Sequence, residues 1–325
     1  MDIQRRSRAM KNEVITIGES LVAFIPNSHM KLRYVDSFTK VVVGAESNVA
    51  VGLSKLGHRS GWISKLGNDE FGAFVLRELR AEGVDTGEVS ICDNLPTAIM
   101  FKQFSNDEES SVFYYRSNSA ASTLSVDDID WELLKKTKVL HLSGITPALS
   151  ETTEALTLEL FRFAKKHNIL ISFDPNIRLK LWDEERALST LRPLVEQADI
   201  VLLGEDEAAL LLDESDPNSV CRTLLDFGVR YVAVKMGDKG ACVADSETIV
   251  QIDPYPVTVV DTIGAGDAFN AGFLAGLLEG RDIETSGKMG ALMGAMAVSS
   301  VGDTEGLPER PVFDRLMKHI KEIAR

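Results

Sequence analysis

The sequence predicts an α/β protein, with a mainly parallel central sheet covered by helices on both faces and a small lid of β-strands at its side. Three features carry that expectation. Apolar runs bounded by turn residues alternate with segments of helical periodicity along most of the chain, the rhythm of crossover units. Two stretches break the rhythm with strands and no helix between them. The 325 residues, 44% hydrophobic and 26% charged, suffice for a large core and leave no composition typical of disorder.

In chain order the strands are "EVITIG" (13–18), "SGWISKLG" (60–67), "VLHLSG" (139–144), "ILISFDPN" (169–176), "DIVLLGEDE" (199–207) and "YVAVKMG" (231–237). Between them, "ESNVAVGLSKLG" (46–57), "FGAFVLRELRAEG" (71–83), "TTEALTLELFRFAKKHN" (152–168) and "VCRTLLDFG" (220–228) read as helices that end in Gly or Asn caps. Residues 97–119, "TAIMFKQFSNDEESSVFYYRSNS", hold two alternating runs around a polar turn, which is a hairpin. Residues 21–44 are also strand-rich. The expectation is one domain over 12–325, with lid strands at about 21–43 and 97–117. A flexible basic tail, 1–11, precedes it, with Met10 as an alternative start.

A formal net charge of −14 excludes broad attraction to nucleic acid or an anionic membrane, since both need a basic face. Any anionic ligand must be met by local donors. Cys92, Cys221 and Cys242 are far apart and odd in number, so neither a disulfide framework nor a C-x-x-C site is expected, and a reducing cytoplasm fits. The N-terminal stretch has no export-type apolar region, and no run of about 18 apolar residues occurs. The five histidines show no ligand spacing.

The chemistry concentrates in "VTVVDTIGAGDAFNAGFLAGLLEG" (257–280), where a β-branched run breaks into small residues between Asp261 and Asp267 and then becomes almost wholly apolar. The amides of Gly264, Ala265 and Gly266 can point at one spot, because glycine permits positive φ and a helix N-terminus adds partial positive charge. That is an anion hole with a carboxylate beside it. A base at Asp267 needs no raised pKa, since a carboxylate with the reference value of about 4 is already ionised at neutral pH. The plainer alternative makes Asp267 a helix cap and the glycines mere turns. Phe269 replaces the third glycine of a dinucleotide fingerprint, and His58 replaces the lysine of a P-loop in "GLSKLGHRS", so neither motif applies.

"DTIGAGDAF" (261–269) resembles the C-terminal signature of the ribokinase family, the PfkB carbohydrate kinases, and "GAESNVAVGLSKLGHRSGWISKLGNDEFG" (44–72) resembles its N-terminal signature. The resemblance runs from about residue 13 to the end and implies a ribokinase-like three-layer α/β/α domain with a β-strand lid. It further implies Asp267 as the base that deprotonates a sugar hydroxyl, with the 264–266 amides around the transferred phosphoryl. "VAVKMGDKGACV" (232–243) resembles the nucleotide-side strand and turn, which makes Lys235, Gly237 and Gly240, with Gly264 and Gly266, the ATP contacts; a solvated strand end is the other reading of Lys235. "LLGEDEAALL" (202–211) matches the metal element, with Glu207 as the acid toward Mg²⁺ and Gly204 where asparagine is common. In some members a monovalent cation such as K⁺ lies against the counterpart of Asp261.

Gly44 and Asn48 match positions that meet substrate hydroxyls; an amide on a helix lined with Ala and Val needs a partner, and internal backbone is the other reading. "VFYYRSNSAASTL" (112–124), "LHLSGITPALS" (140–150) and "FDPNIRLKLW" (173–182) resemble the subgroup that phosphorylates 2-keto-3-deoxygluconate. That acceptor carries a carboxylate, which suits the guanidinium forks of Arg116 and Arg178, with Tyr114 as a further contact. The plainer readings are a lid-edge surface cation for Arg116, a salt bridge to Asp174 or another acid for Arg178 and simple packing for Tyr114. Met100 stands where some subgroup members have a tyrosine. The implied activity is transfer from ATP to the primary hydroxyl of that sugar acid. A fructokinase or other neutral-sugar kinase, a nucleoside kinase, and a catalytically silent sugar sensor are the alternatives. Exposed lid strands predict a homodimer or higher homo-oligomer.

Overall fold

The computed structural model describes residues 12–28, 30–104 and 111–323; the expected tail at 1–11 lies outside the described residues. Its strands are β1 (Val14–Ile17), β2 (Leu21–Pro26), β3 (Phe38–Val43), β4 (Ser60–Ile63), β5 (Lys65–Gly67), β6 (Ser90–Cys92), β7 (Ile99–Gln103), β8 (Ser111–Tyr115), β9 (Val139–Ser143), β10 (Leu170–Asp174), β11 (Ile200–Gly204), β12 (Tyr231–Lys235), β13 (Ala241–Ala244) and β14 (Ile249–Ile252). The longer helices are α1 (Ala45–Lys55), α2 (Glu70–Ala81), α3 (Glu151–His167), α4 (Glu184–Val195), α5 (Glu205–Leu212), α6 (Pro217–Asp226), α7 (Ala265–Leu278), α8 (Ile283–Val298) and α9 (Arg310–Ile323).

Eight strands form the central sheet in the order β14-β13-β12-β11-β10-β9-β1-β4. Neighbours from β4 to β12 are parallel, because helices or long connections separate them in the chain. The short 236–240 turn after β12 allows only an antiparallel return, so β13 and β14 close that edge as a meander. From β1 the chain winds outward to β4 on one side and later resumes at β9 on the other. The crevice at the carboxyl ends of β1 and β9 is therefore a topological switch point, where open α/β sheets bind ligands.

Strand side chains alternate between the two faces. Ile200 and Leu202 pack with Val49 and Leu53 of α1 and with Phe273, Leu274, Leu292 and Met293 of α7 and α8. Val201 and Leu203 pack on the opposite face with Leu156 and Leu160 of α3, Leu191 of α4 and Leu224 of α6. Both faces are covered, which is why these strands read as continuous apolar runs. The all-round apolar character of α7 follows from its position between α1, α8 and the sheet. A Cβ on Gly272 would lie 2.4 Å from the Met289 carbonyl oxygen, so α7 and α8 touch backbone to backbone.

A second sheet, ordered β3-β2-β7-β8, stands beside the carboxyl ends of the main strands. Leu21, Ala23, Val43 and Met100 form one packed face, while Val22 and Phe24 of β2 pack on the other side with Phe71 and Phe74 of α2. The single strand expected at 60–67 is two: β4 stays beside β1, and β5 leaves the main sheet to pair with β6. No helix among the described residues is long and apolar enough to cross a membrane.

Replacing Gly272 by Ala forces α7 and α8 apart, with an expected loss of ~1–3 kcal/mol. Urea unfolding of Gly272→Ala against the parent chain reads this directly; an unchanged midpoint would mean that the helices separate without penalty.

Candidate active site

The loop 253–263 enters α7 through Gly264, whose φ of 78° is the left-handed region that suits glycine. A Cβ there would also sit 2.6 Å from the Asp303 carbonyl oxygen. The first-turn amides of α7 have no partner within the helix and face outward with the positive end of its dipole. This N-terminus lies between two cavities. One, of about 750 Å³, is lined by Gly44, Asn48, Tyr114, Arg116, Arg178, Gly264 and Asp267 among others. The other, of about 530 Å³, is lined by Lys235, Gly237, Gly240, Ala265 and Gly266 and by apolar residues that include Tyr255, Val257, Phe269 and Ala295. The proposed sugar contacts thus share one chamber and most of the proposed nucleotide contacts the other; Gly264 falls on the sugar side. Glu207 and Asp261 line neither.

Asp267, one turn into α7, faces the first chamber. Its Oδ2 accepts a hydrogen bond from Asn48 Nδ2 at 2.8 Å, and the same nitrogen donates to Asp303 Oδ2 at 2.8 Å. The Asn48 amide nitrogen is thereby committed to two carboxylates, and its oxygen is the atom that could still meet a sugar hydroxyl. Burial pushes the Asp267 pKa up to about 8, with help from the charges of Asp174 and Asp303, against the lowering effects of the Asn48 bond and Lys235. The expectation of an ordinary carboxylate is corrected here, because three acids share poorly hydrated space. Asp303 is raised to about 6, first by burial and then by Glu305 and Asp261.

Lys235 ends β12 not in solvent but in a buried cluster. Its Nζ donates to Asp174 Oδ2 at 2.7 Å and to Asn270 Oδ1 at 3.4 Å, and Asn270 Nδ2 donates to the same Asp174 oxygen at 2.6 Å. Burial opposes the charges of both partners, yet Asp174 stays below its ordinary value because Lys235 is beside it. Gly266 carries no side chain between this ammonium and the anion loop: a Cβ there would lie 3.5 Å from Lys235 Nζ. Glu207 uses both oxygens on backbone, accepting from Gly204 N and Ile177 N at 2.8 Å each. Its carboxylate braces the 174–178 loop. Direct coordination of Mg²⁺ by Glu207 is therefore not what the geometry favours; the lone pairs left over suit the waters of a hydrated ion held mainly by phosphates.

Arg116 is not a surface cation. Its side chain is 10% exposed and pairs with Glu19, itself held by Ser119 Oγ at 2.8 Å. The guanidinium carbon also lies 5.3 Å from the Tyr114 ring centre. Arg178 does not pair with Asp174, whose oxygens serve Lys235, Asn270 and the Asn176 amide. It is exposed, lines the larger chamber and has no ion-pair partner among the described residues. Met100, buried on β7, lines the same chamber and offers no hydroxyl.

Asp261 was expected to face a monovalent cation. Its Oδ2 instead accepts from Lys102 Nζ at 2.7 Å, and its Oδ1 accepts from Ile263 N at 3.3 Å. A potassium ion against that carboxylate would share it with the ammonium, and two unit charges about 4 Å apart repel by ~4 kcal/mol in partly buried surroundings. The residues present do not fit the ion. Lys102, Asp303, Glu19, Asn270 and the pairing role of Asp174 escaped the sequence reading. A polar residue three places after Asp267 on an otherwise apolar helix was a signal for Asn270; the other pairings join residues remote in sequence.

A parallel sheet with a ligand crevice at its switch point, and an anion-binding helix N-terminus between a polar and an apolar chamber, define a small-molecule phosphotransferase. The chain belongs to the pfkB family carbohydrate kinases, whose sequence profile matches residues 11–310. It is 38% identical over 304 residues to a 2-dehydro-3-deoxygluconokinase of Bacillus subtilis (strain 168), covering 93% of this chain and 94% of the relative. A crystal structure of 2-dehydro-3-deoxygluconokinase from Thermotoga maritima superposes with a TM-score of 0.88 at 25% identity, over 94% of this chain and 98% of that one. A putative ribokinase II from E. coli, solved in complex with ATP and Mg²⁺, gives 0.88 at 28% identity over 95% and 99%. The fold is ribokinase-like.

The raised Asp267 pKa has a stability consequence. Between pH 3.8 and about 8 the folded chain keeps a proton that the unfolded chain releases, so stability falls as pH rises through that window. Asp267→Asn removes this loss: thermal melts should show the variant more stable than the parent above pH 8 and equal to it below pH 4. Equal melting temperatures at pH 9 would contradict the burial of an ionisable Asp267.

Proposed function

We propose that the chain transfers the γ-phosphoryl of ATP to the primary hydroxyl of 2-keto-3-deoxygluconate, giving the 6-phosphate. The observation that carries this reading is the larger chamber: a partly buried acid beside the anion loop at one end, and guanidinium groups on its wall, one of them unpaired among the described residues. A keto-deoxy sugar acid is complementary to both ends. Its carboxylate suits Arg178, and its distal hydroxyl can lie against Asp267. The names of the Bacillus subtilis and Thermotoga maritima relatives point the same way.

In this reading Asp267 takes the hydroxyl proton at Oδ1 or Oδ2, and the amides of Gly264, Ala265 and Gly266 hold the phosphoryl oxygens. Transfer of this kind asks for positioning and charge stabilisation more than covalent chemistry. ATP occupies the smaller chamber, with its base among Tyr255, Val257 and Ala295 and its phosphates toward Gly266. Lys235, tethered to Asp174, faces the same loop. Mg²⁺, held by phosphates and by waters on Glu207, supplies positive charge to the phosphate oxygens when bound. The second sheet closes over the sugar as a lid and keeps out water that would hydrolyse ATP. A reducing cytoplasm suits the three free cysteines.

The reading is tested by ADP release in a screen of keto-deoxy sugar acids, fructose, ribose and adenosine. Asp267→Ala should lower turnover of the preferred sugar by ~10²- to 10⁴-fold. Arg178→Ala should raise KM for the acid by roughly tenfold or more while leaving any neutral sugar unaffected. Equal effects on acid and neutral sugars would favour a fructokinase-type acceptor, and no release with any sugar would favour the sensor.

A homodimer through the second sheet is also part of the proposal, since it presents two edge strands, β3 and β8, and exposes Phe113 and Tyr115. Sedimentation equilibrium should give at least twice the 35.6 kDa chain mass; a single species at chain mass would remove the dimer.

A further inference from the structure

Lys102 lies on β7, hydrogen-bonded between β2 and β8 in the second sheet. Alternation along β7 buries Met100 and Lys102 and leaves Ile99, Phe101 and Gln103 partly exposed. A buried lysine on a strand needs a compensating charge, and here the ammonium, 3% exposed, reaches across to Asp261. Asp261 in turn holds the Ile263 amide, immediately before Gly264. Asp303, whose backbone abuts Gly264, also feels the Lys102 charge and shares Asn48 with Asp267. One ammonium thus balances the carboxylates behind the anion loop and pins the turn that shapes it.

We propose that Lys102 is a built-in monovalent cation: its ammonium, carried on the second sheet, takes the place of a potassium ion beside Asp261 and makes phosphoryl transfer by this chain independent of added monovalent cations. Lys102 is a positioning residue, since it acts on the reacting groups through Asp261 and Asp303. The turnover part of the test rests on the kinase reading; the melting part does not.

The experiment compares K⁺, NH₄⁺ and tetramethylammonium at fixed ionic strength. For the parent chain, turnover should vary by less than about twofold and the melting temperature should not depend on the cation, since a site that is already filled gains nothing by mass action. Lys102→Met should lose about tenfold or more of its turnover in tetramethylammonium, the scale of one removed electrostatic contact. K⁺ or NH₄⁺ should restore part of that loss and raise its melting temperature. Should the Met variant fail to fold, Lys102→Gln, which keeps a hydrogen bond to Asp261 without the charge, is read in the same way. Activation of the parent chain by K⁺ of about tenfold or more, or a neutral variant whose melting and turnover respond to no cation, would overturn the proposal. If no sugar releases ADP, the kinase reading has failed and the melting comparison still decides the cation question.

Discussion

One amide organises the centre of this protein. Asn48 donates to Asp267 and to Asp303 through the same nitrogen, and so joins the start of α1, the first turn of α7 and the segment after α8. Burial disfavours the charge on both carboxylates, and nearby acids add to it, Asp174 and Asp303 at Asp267 and Glu305 and Asp261 at Asp303, so their pKa values rise to about 8 and about 6. Asp267 therefore keeps its proton to higher pH than a lone exposed aspartate does. Positive charge or hydrogen-bond donors brought into the crevice would lower that pKa, so the protonation of Asp267 is tied by electrostatics to what lies beside it.

The demand for local cations follows from the same crowding. With a net charge of −14, the chain has no general field to attract a sugar acid or a nucleotide, and three cations near the crevice are fixed in place by buried or partly buried acids. Lys235 is held by Asp174, Lys102 by Asp261 and Arg116 by Glu19. All three carriers are strand or strand-end residues, and each partner lies on a different element. The pairs consequently set the distance between sheet, loop and second sheet as well as local charge. A buried pair of this kind adds little net stability, and its value lies in making one arrangement of the elements much better than its neighbours.

How much of this was legible in the sequence depends on range. The β-α rhythm is a local signal with a physical period, and the helix ends at Gly57, Gly83, Asn168 and Gly228 all adopt the left-handed conformation that their residue types suggest. The glycine-bounded loop before α7 was also local. The split of 60–67 into β4 and β5 was not, because alternation says that a run is extended but not which strand it will join. Asn48 was visible as a polar residue that needed a partner, yet its partners lie 219 and 255 residues away. The raised Asp267 pKa was illegible for the same reason: it depends on Asp174 and Asp303, which reach it only through the fold.

If the proposed acceptor is right, discrimination between acid and neutral sugars falls to Arg178, because Arg116 already answers Glu19. Arg178 is exposed, so its guanidinium is solvated and gives up that solvation only when a ligand covers it. A neutral sugar would leave it wet and lose only the bond it never made, whereas a buried unpaired cation would have rejected such a sugar outright. A charged hydrogen bond contributes ~1.5–3 kcal/mol under these conditions, which is roughly one to two powers of ten in selectivity. Greater selectivity would require the second sheet to close tightly enough to strip water from Arg178, so the precision of that closure, more than the presence of the arginine, sets how narrow the acceptor range is.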